Sequence, residues 1–143
     1  MKEYQSLTHT RWDCKYHIVF IPKKRKKKIF GALRKHLGVI LRELAKHKDA
    51  EVLEGHLMQD HVHICLSIPP KYAVSNVVGY IKGKSAITLA RKFGGRSRNF
   101  TGEAFWARGY FVSTVGLDEA MVRAYIRNQE QEDERYDQMK LDV

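Results

Sequence analysis

Two histidines stand one residue apart in DHVHICLSIPP, residues 60–70, and they are the first side chains in this chain that could do chemistry together. Along a strand, successive side chains alternate between faces. Val62, Ile64, Leu66 and Ile68 therefore share one face, which is aliphatic throughout, while His61, His63, Cys65 and Ser67 share the other. The histidines are not needed to fill the core beneath the strand. Side by side, two neutral imidazoles supply half of a metal site, and a third protein ligand would leave positions for water or a substrate oxygen. Taken alone, such a pair is also compatible with structural histidines.

A second constellation lies near the C-terminus, in AYIRNQEQEDERY. Tyr125 and Gln129 are four residues apart and share a face if the segment is helical. Glu132, Asp133 and Tyr136 continue that stripe, with Tyr136 about 16 Å further along the axis than Tyr125. A packing tyrosine beside a solvated glutamine would look the same in isolation. His17 and His56 are further candidates for the sheet surface, as structural residues or as contacts to a partner.

These side chains need a scaffold, and the hydrophobic pattern supplies one. Residues 14–22, CKYHIVFIP, have the β-branched and aromatic character of a strand closed by proline. Phe30, Leu33, Leu37, Ile40, Leu41 and Leu44 recur at helical spacing up to residues 47–49. AEVLEGHLMQ and HVHICLSI, joined tightly near Asp60, predict a hairpin. A second helix is expected over residues 74–93, a basic loop at GGRSRN, and a long aromatic strand over residues 105–116. A last helix is expected from residues 117–119 to about Lys140. The order β-α-β-β-α-β-α predicts an α+β fold in one domain, residues 1–143: a ferredoxin-like split βαβ antiparallel sheet, two helices on one face and an added C-terminal helix carrying the tyrosine. The histidines would then stand on the open face.

Composition narrows the partner. The chain has 143 residues, with 26 Lys and Arg against 16 Asp and Glu, a formal net charge of +10. Such an excess favours a polyanion, because basic side chains release counterions from a phosphate backbone. KKRKKK, that is Lys23, Lys24, Arg25, Lys26, Lys27 and Lys28, reads as a phosphate-binding loop, the alternative being a solvated charge run. Arg11, Lys82, Lys84, Arg91, Lys92, Arg96 and Arg98 are further candidates to track a DNA backbone. Trp106, Tyr110 and Phe111 could stack on unpaired bases, though alternation must bury some of them. Two cysteines, Cys14 and Cys65, suggest buried thiols in a reducing compartment. The N-terminus lacks the apolar core of a signal peptide, and no apolar run has membrane-spanning length, so a soluble cytoplasmic protein without a membrane partner is expected.

Taken together, HVH on a central strand and a tyrosine followed four residues later by glutamine resemble a single-tyrosine HUH transposase of the small insertion-sequence type. THTRWDCKYHIVFIPK, DHVHICLSIPPK, GYIKGKSA and EAFWARGYFVSTVG resemble the same family, so the likeness spans nearly the whole chain. It implies that His61, His63 and Gln129 bind a divalent cation, Mg²⁺ or Mn²⁺, and that Tyr125 is the nucleophile. It further implies a prokaryotic, homodimeric enzyme that recognises DNA hairpins at element ends and cuts the single-stranded flanks through a 5′-phosphotyrosine. Two other readings stand beside it. RGYFV partly imitates the aromatic signature of an RRM, which would make the chain a binding module. A metal-dependent phosphoesterase would use water in place of Tyr125.

Overall fold

The computed structural model describes residues 5–7, 10–94 and 105–115. Two short strands, β1 (Gln5–Leu7) and β2 (Thr10–Trp12), pair antiparallel as a small hairpin ahead of the main sheet. Each of these strands is only three residues long, too short for periodicity to detect.

The main sheet contains β3 (Lys15–Phe20), β4 (Glu51–Met58), β5 (His61–Ser67) and β6 (Phe111–Thr114), in spatial order β4-β5-β3-β6 and antiparallel throughout. Helix α1 (Gly31–His47) connects β3 to β4, and α2 (Val74–Phe93) connects β5 to β6. This is the expected split βαβ arrangement. β4 and β5 form the expected hairpin, turning at Gln59 and Asp60 with Met58 opposite His61.

Local chemistry marks the end of α1 and the approach to α2. Asp49 takes a positive φ of 53° just past α1, a conformation Asp tolerates better than most residues. The Asp49 and Ala50 amides donate back to the carbonyls of Lys46 and Ala45, satisfying groups the helix leaves open. Pro69 and Pro70 separate β5 from α2.

The core forms where the helices meet the aliphatic sheet face. Ile18, Phe20, Val62, Ile64 and Leu66 from the strands pack with Leu37, Ile40, Leu41 and Leu44 of α1 and Val77, Val78, Ile81 and Leu89 of α2. Burial of each such side chain contributes roughly 1.5–3 kcal/mol of hydrophobic driving force.

The last strand departs from expectation. Residues 105–110 do not form strand; Trp106 makes an isolated bridge to Pro22, and β6 is confined to Phe111–Thr114. Trp106 is instead a core anchor. Its ring meets Phe20 edge-on at 4.7 Å, and its indole N–H donates to Ser85 Oγ at 3.0 Å. Gly109 has a φ of 78°, which breaks the extended path shortly before β6 begins. Of RGYFV, only Phe111 and Val112 lie on a strand, so the RRM-like pattern does not form an aromatic platform. The predicted C-terminal helix, with Tyr125 and Gln129, lies outside the described residues, as do Arg96 and Arg98.

Candidate active site

The register of the sheet gathers four histidines on the face away from the helices. His63 is directly opposite His56 on β4, and His17 on β3 is opposite Cys65. Residues opposite one another across a ladder share a face, so His17, His56, His61 and His63 lie together. The His61 and His63 rings have centroids 4.7 Å apart, and His17 lies 5.7 Å from His63. Phe111 of β6 closes one side, 6.1 Å from His17.

This face is not open at the pair, contrary to the sequence expectation. His61 is 5% exposed, His63 2% and His17 4%, and every residue of β5 is buried. Alternation correctly separated the histidines from the aliphatic core, but it does not say whether the second face meets solvent. β5 is an inner strand, with His17 of β3 beside His63 and His56 of β4 opposite it in the ladder. Burial lowers the His17 pKa below its ordinary value, favouring the neutral ring.

The hairpin turn adds a partner that periodicity did not single out. Asp60 Oδ1 lies 2.6 Å from His61 Nδ1, and Asp60 Oδ2 lies 3.1 Å from Arg25 Nε. A carboxylate accepts, so Nδ1 of His61 is the donor in this contact, and in a neutral ring Nε2 then keeps the lone pair. The signal was present in sequence as an aspartate immediately before HVH, but its significance required knowing where its side chain turns.

The basic residues separate into distinct groups. Lys23, Lys24 and Arg25 form a short 3-10 turn, with Lys23, Lys24, Lys26 and Lys27 exposed. Arg25 is half-buried against Asp60, which places this run beside the histidine pair. Lys28 is also half-buried, its ammonium 5.3 Å from the Phe105 ring centroid. Its pKa is lowered, first by burial and then by Lys26 and Lys23.

Lys82, expected to track a DNA backbone, is engaged within the protein. Its ammonium donates to the carbonyls of Ala107, at 2.8 Å, and Gly109, at 2.5 Å, and burial lowers its pKa. It ties α2 to the segment preceding β6. Lys84, Arg91 and Lys92 are exposed on α2, in the helix layer on the opposite side of the sheet from the histidines. Arg11 lies on β2, opposite Ser6. Tyr110 packs against the core, whereas Phe111 remains 43% exposed.

An antiparallel α+β sheet, helices on one face and clustered histidines on the other, defines a ferredoxin-like protein with a histidine-centred site. The IS200-like transposase family model matches residues 10–129, and the chain belongs to that family. It is an insertion-sequence transposase, an enzyme class that cuts and transfers DNA. It is 44% identical over 141 residues to the transposase of insertion sequence IS200 from Salmonella typhimurium, covering 99% of this chain and 93% of that one. It is 29% identical over 119 residues to the ISDra2 transposase TnpA of Deinococcus radiodurans, covering 82% and 85%.

A crystal structure from Deinococcus radiodurans, assigned as a transposase, superposes with a TM-score of 0.67 at 26% identity, covering 90% of this chain and 98% of that one. The REP-associated tyrosine transposase bound to a REP hairpin shares the fold, with a TM-score of 0.58 at 12% identity and coverage of 88% and 68%. No helix among the described residues is long and apolar enough to cross a membrane.

Proposed function

We propose that this transposase cleaves and rejoins single-stranded DNA at insertion-sequence ends through a 5′-phosphotyrosine on Tyr125. The observation that carries the reading is the His61–His63 pair, 4.7 Å between ring centroids on one sheet face, in a chain whose family match runs through residue 129. That match includes the positions of Tyr125 and Gln129.

The donor set fits a divalent cation. Two imidazoles lie side by side, and the Asp60 carboxylate orients one of them in the way that outer-shell carboxylates orient metal-ligating histidines. Among the described residues, no group of three His, Cys, Asp or Glu side chains is placed to hold an ion. In this reading the third protein ligand is the amide oxygen of Gln129, the position that the family resemblance implies. Nitrogen and amide donors suit Mn²⁺ at least as well as Mg²⁺, while Mg²⁺ is the more abundant cellular ion. When bound, such an ion supplies Lewis-acid polarisation of a phosphate oxygen and stabilises developing negative charge.

The protein's own groups carry the strand transfer. The Tyr125 phenol loses its proton and attacks phosphorus, forming the P–Oη bond as the P–O3′ bond breaks. The departing 3′ oxygen takes up a proton and becomes a 3′-OH. The phosphotyrosine ester conserves the bond, so another 3′-OH can attack it, reform a phosphodiester and release the phenol without ATP. His61, His63 and Gln129 orient the scissile phosphate, and the exposed lysines beside Arg25 draw the strand to the site.

The named partner of the REP-associated structure, a REP hairpin, supports recognition of hairpin ends here. A homodimer in the cytoplasm is the expected working form. The test is a denaturing gel of protein with labelled single-stranded element-end DNA, with Mg²⁺, Mn²⁺ or EDTA. A metal-dependent covalent adduct, absent in Tyr125→Phe, supports the proposal. Cleavage without an adduct that survives Tyr125→Phe identifies a hydrolase and overturns it.

A further inference from the structure

The six-cation run does not present six equivalent charges. Lys24 and Arg25 both adopt left-handed backbone conformations, with φ of 59° and 54°. Such conformations are unfavourable for a residue with a Cβ, so the surrounding structure must hold them there. The turn is anchored at both ends. The Lys23 amide donates to the Phe105 carbonyl at 2.7 Å, and the Ile29 amide to Gln59 at 3.0 Å, within the same hairpin turn as Asp60. This path brings Arg25 Nε to 3.1 Å from Asp60 Oδ2, while the other oxygen of the same carboxylate lies 2.6 Å from His61 Nδ1.

A solvated basic loop would need neither the left-handed turn nor the half-buried guanidinium. A carboxylate serving only to offset nearby lysines would not direct one oxygen to a ring nitrogen and the other to Arg25. The geometry instead forms a continuous chain from Arg25 through Asp60 to the side of His61 remote from Nε2.

We propose that Asp60 and Arg25 are positioning residues for the active site: Asp60 holds His61 as the Nδ1–H tautomer with Nε2 directed to the cation, and Arg25 holds Asp60. This inference rests on the metal reading of the site. Asp60 acts by orienting His61 and making its ligating nitrogen more basic, and touches neither DNA nor ion. Arg25 consequently has a role distinct from that of its exposed lysine neighbours, whose charges can serve phosphate.

The experiment uses the full chain. Nitrogen-15 NMR of histidine-labelled, metal-free protein reads the His61 tautomer, with the signal assigned by His61→Asn. Mn²⁺ titration followed by electron paramagnetic resonance compares wild type with Asp60→Ala, Arg25→Ala and Arg25→Lys. The expected result is an Nδ1–H tautomer in wild type and Mn²⁺ affinity reduced about 10- to 100-fold in Asp60→Ala. A smaller loss is expected in Arg25→Ala, with recovery toward wild type in Arg25→Lys.

An Nε2–H tautomer in wild-type protein overturns the inference without recourse to any variant, so it remains testable if Asp60→Ala fails to fold. Wild-type Mn²⁺ affinity in a folded Asp60→Ala also overturns it, leaving the metal reading intact. If wild type binds no Mn²⁺, the metal reading itself fails and takes the inference with it.

Discussion

His56 stands directly opposite His63 in the β4–β5 ladder, so the sheet brings together histidines from separate strands on the face away from the helices. Their roles are nonetheless separable. His63 belongs to the proposed ligand pair with His61, whereas His56 lies on edge strand β4.

His63→Asn is therefore expected to weaken Mn²⁺ binding at least about 100-fold, since loss of a direct ligand should cost no less than loss of an outer-shell partner. His56→Asn should leave the affinity within about threefold by the same comparison. Calorimetric titration with Mn²⁺ reads both. Equal losses would place His56 in the ligand set.

EDTA should abolish strand cleavage, and added Mn²⁺ should restore it. Mn²⁺ at about 100 times its dissociation constant should also stabilise the fold by about 2.7 kcal/mol, because it binds the native state selectively. Denaturant unfolding with and without the ion measures this, and coincident curves would argue against a native metal site.

Tyr125→Phe should lower adduct formation and cleavage by on the order of 10⁴-fold or more, as expected when a covalent nucleophile is removed. Binding to element-end DNA should persist, because the change deletes one hydroxyl and no charge. Gel-shift and denaturing assays on the same preparation separate the two effects.

The basic side chains should divide by measurement as they do by position. Alanine at Lys23, Lys24, Lys26 or Lys27 should reduce the salt dependence of single-strand binding by about 0.7 in log–log slope for each phosphate that is no longer neutralised. Lys82→Met should leave that slope unchanged and cost about 1–3 kcal/mol of stability, since the Ala107 and Gly109 carbonyls lose their donor. A salt-slope change in Lys82→Met would restore Lys82 to the DNA surface.

Much of this architecture was legible in the order of residues. The aliphatic alternation Val62, Ile64, Leu66 and Ile68 located β5 and its core face, because a strand has a period of two whatever surrounds it. Helical spacing from Leu33 to Leu44 located α1, and the tight connection at Asp60 located the hairpin. The HVH spacing put both histidines on one face before any contact was known, and their resemblance to a transposase motif agrees with the family match.

Other features belong to contacts between distant parts of the chain. Trp106 left the expected strand because its indole found Phe20 and Ser85, an enclosure that local alternation cannot anticipate. Lys82 became a structural tie because residues 107–109 passed over its ammonium. Burial of the histidine face likewise depends on its neighbours across the sheet. The sequence by itself determined the periods, and thus which side chains share an element face. Only the tertiary structure decided which charges meet solvent, which meet carbonyls, and that Arg25 and Asp60 converge on His61, since desolvation and hydrogen bonding depend on neighbours that folding supplies.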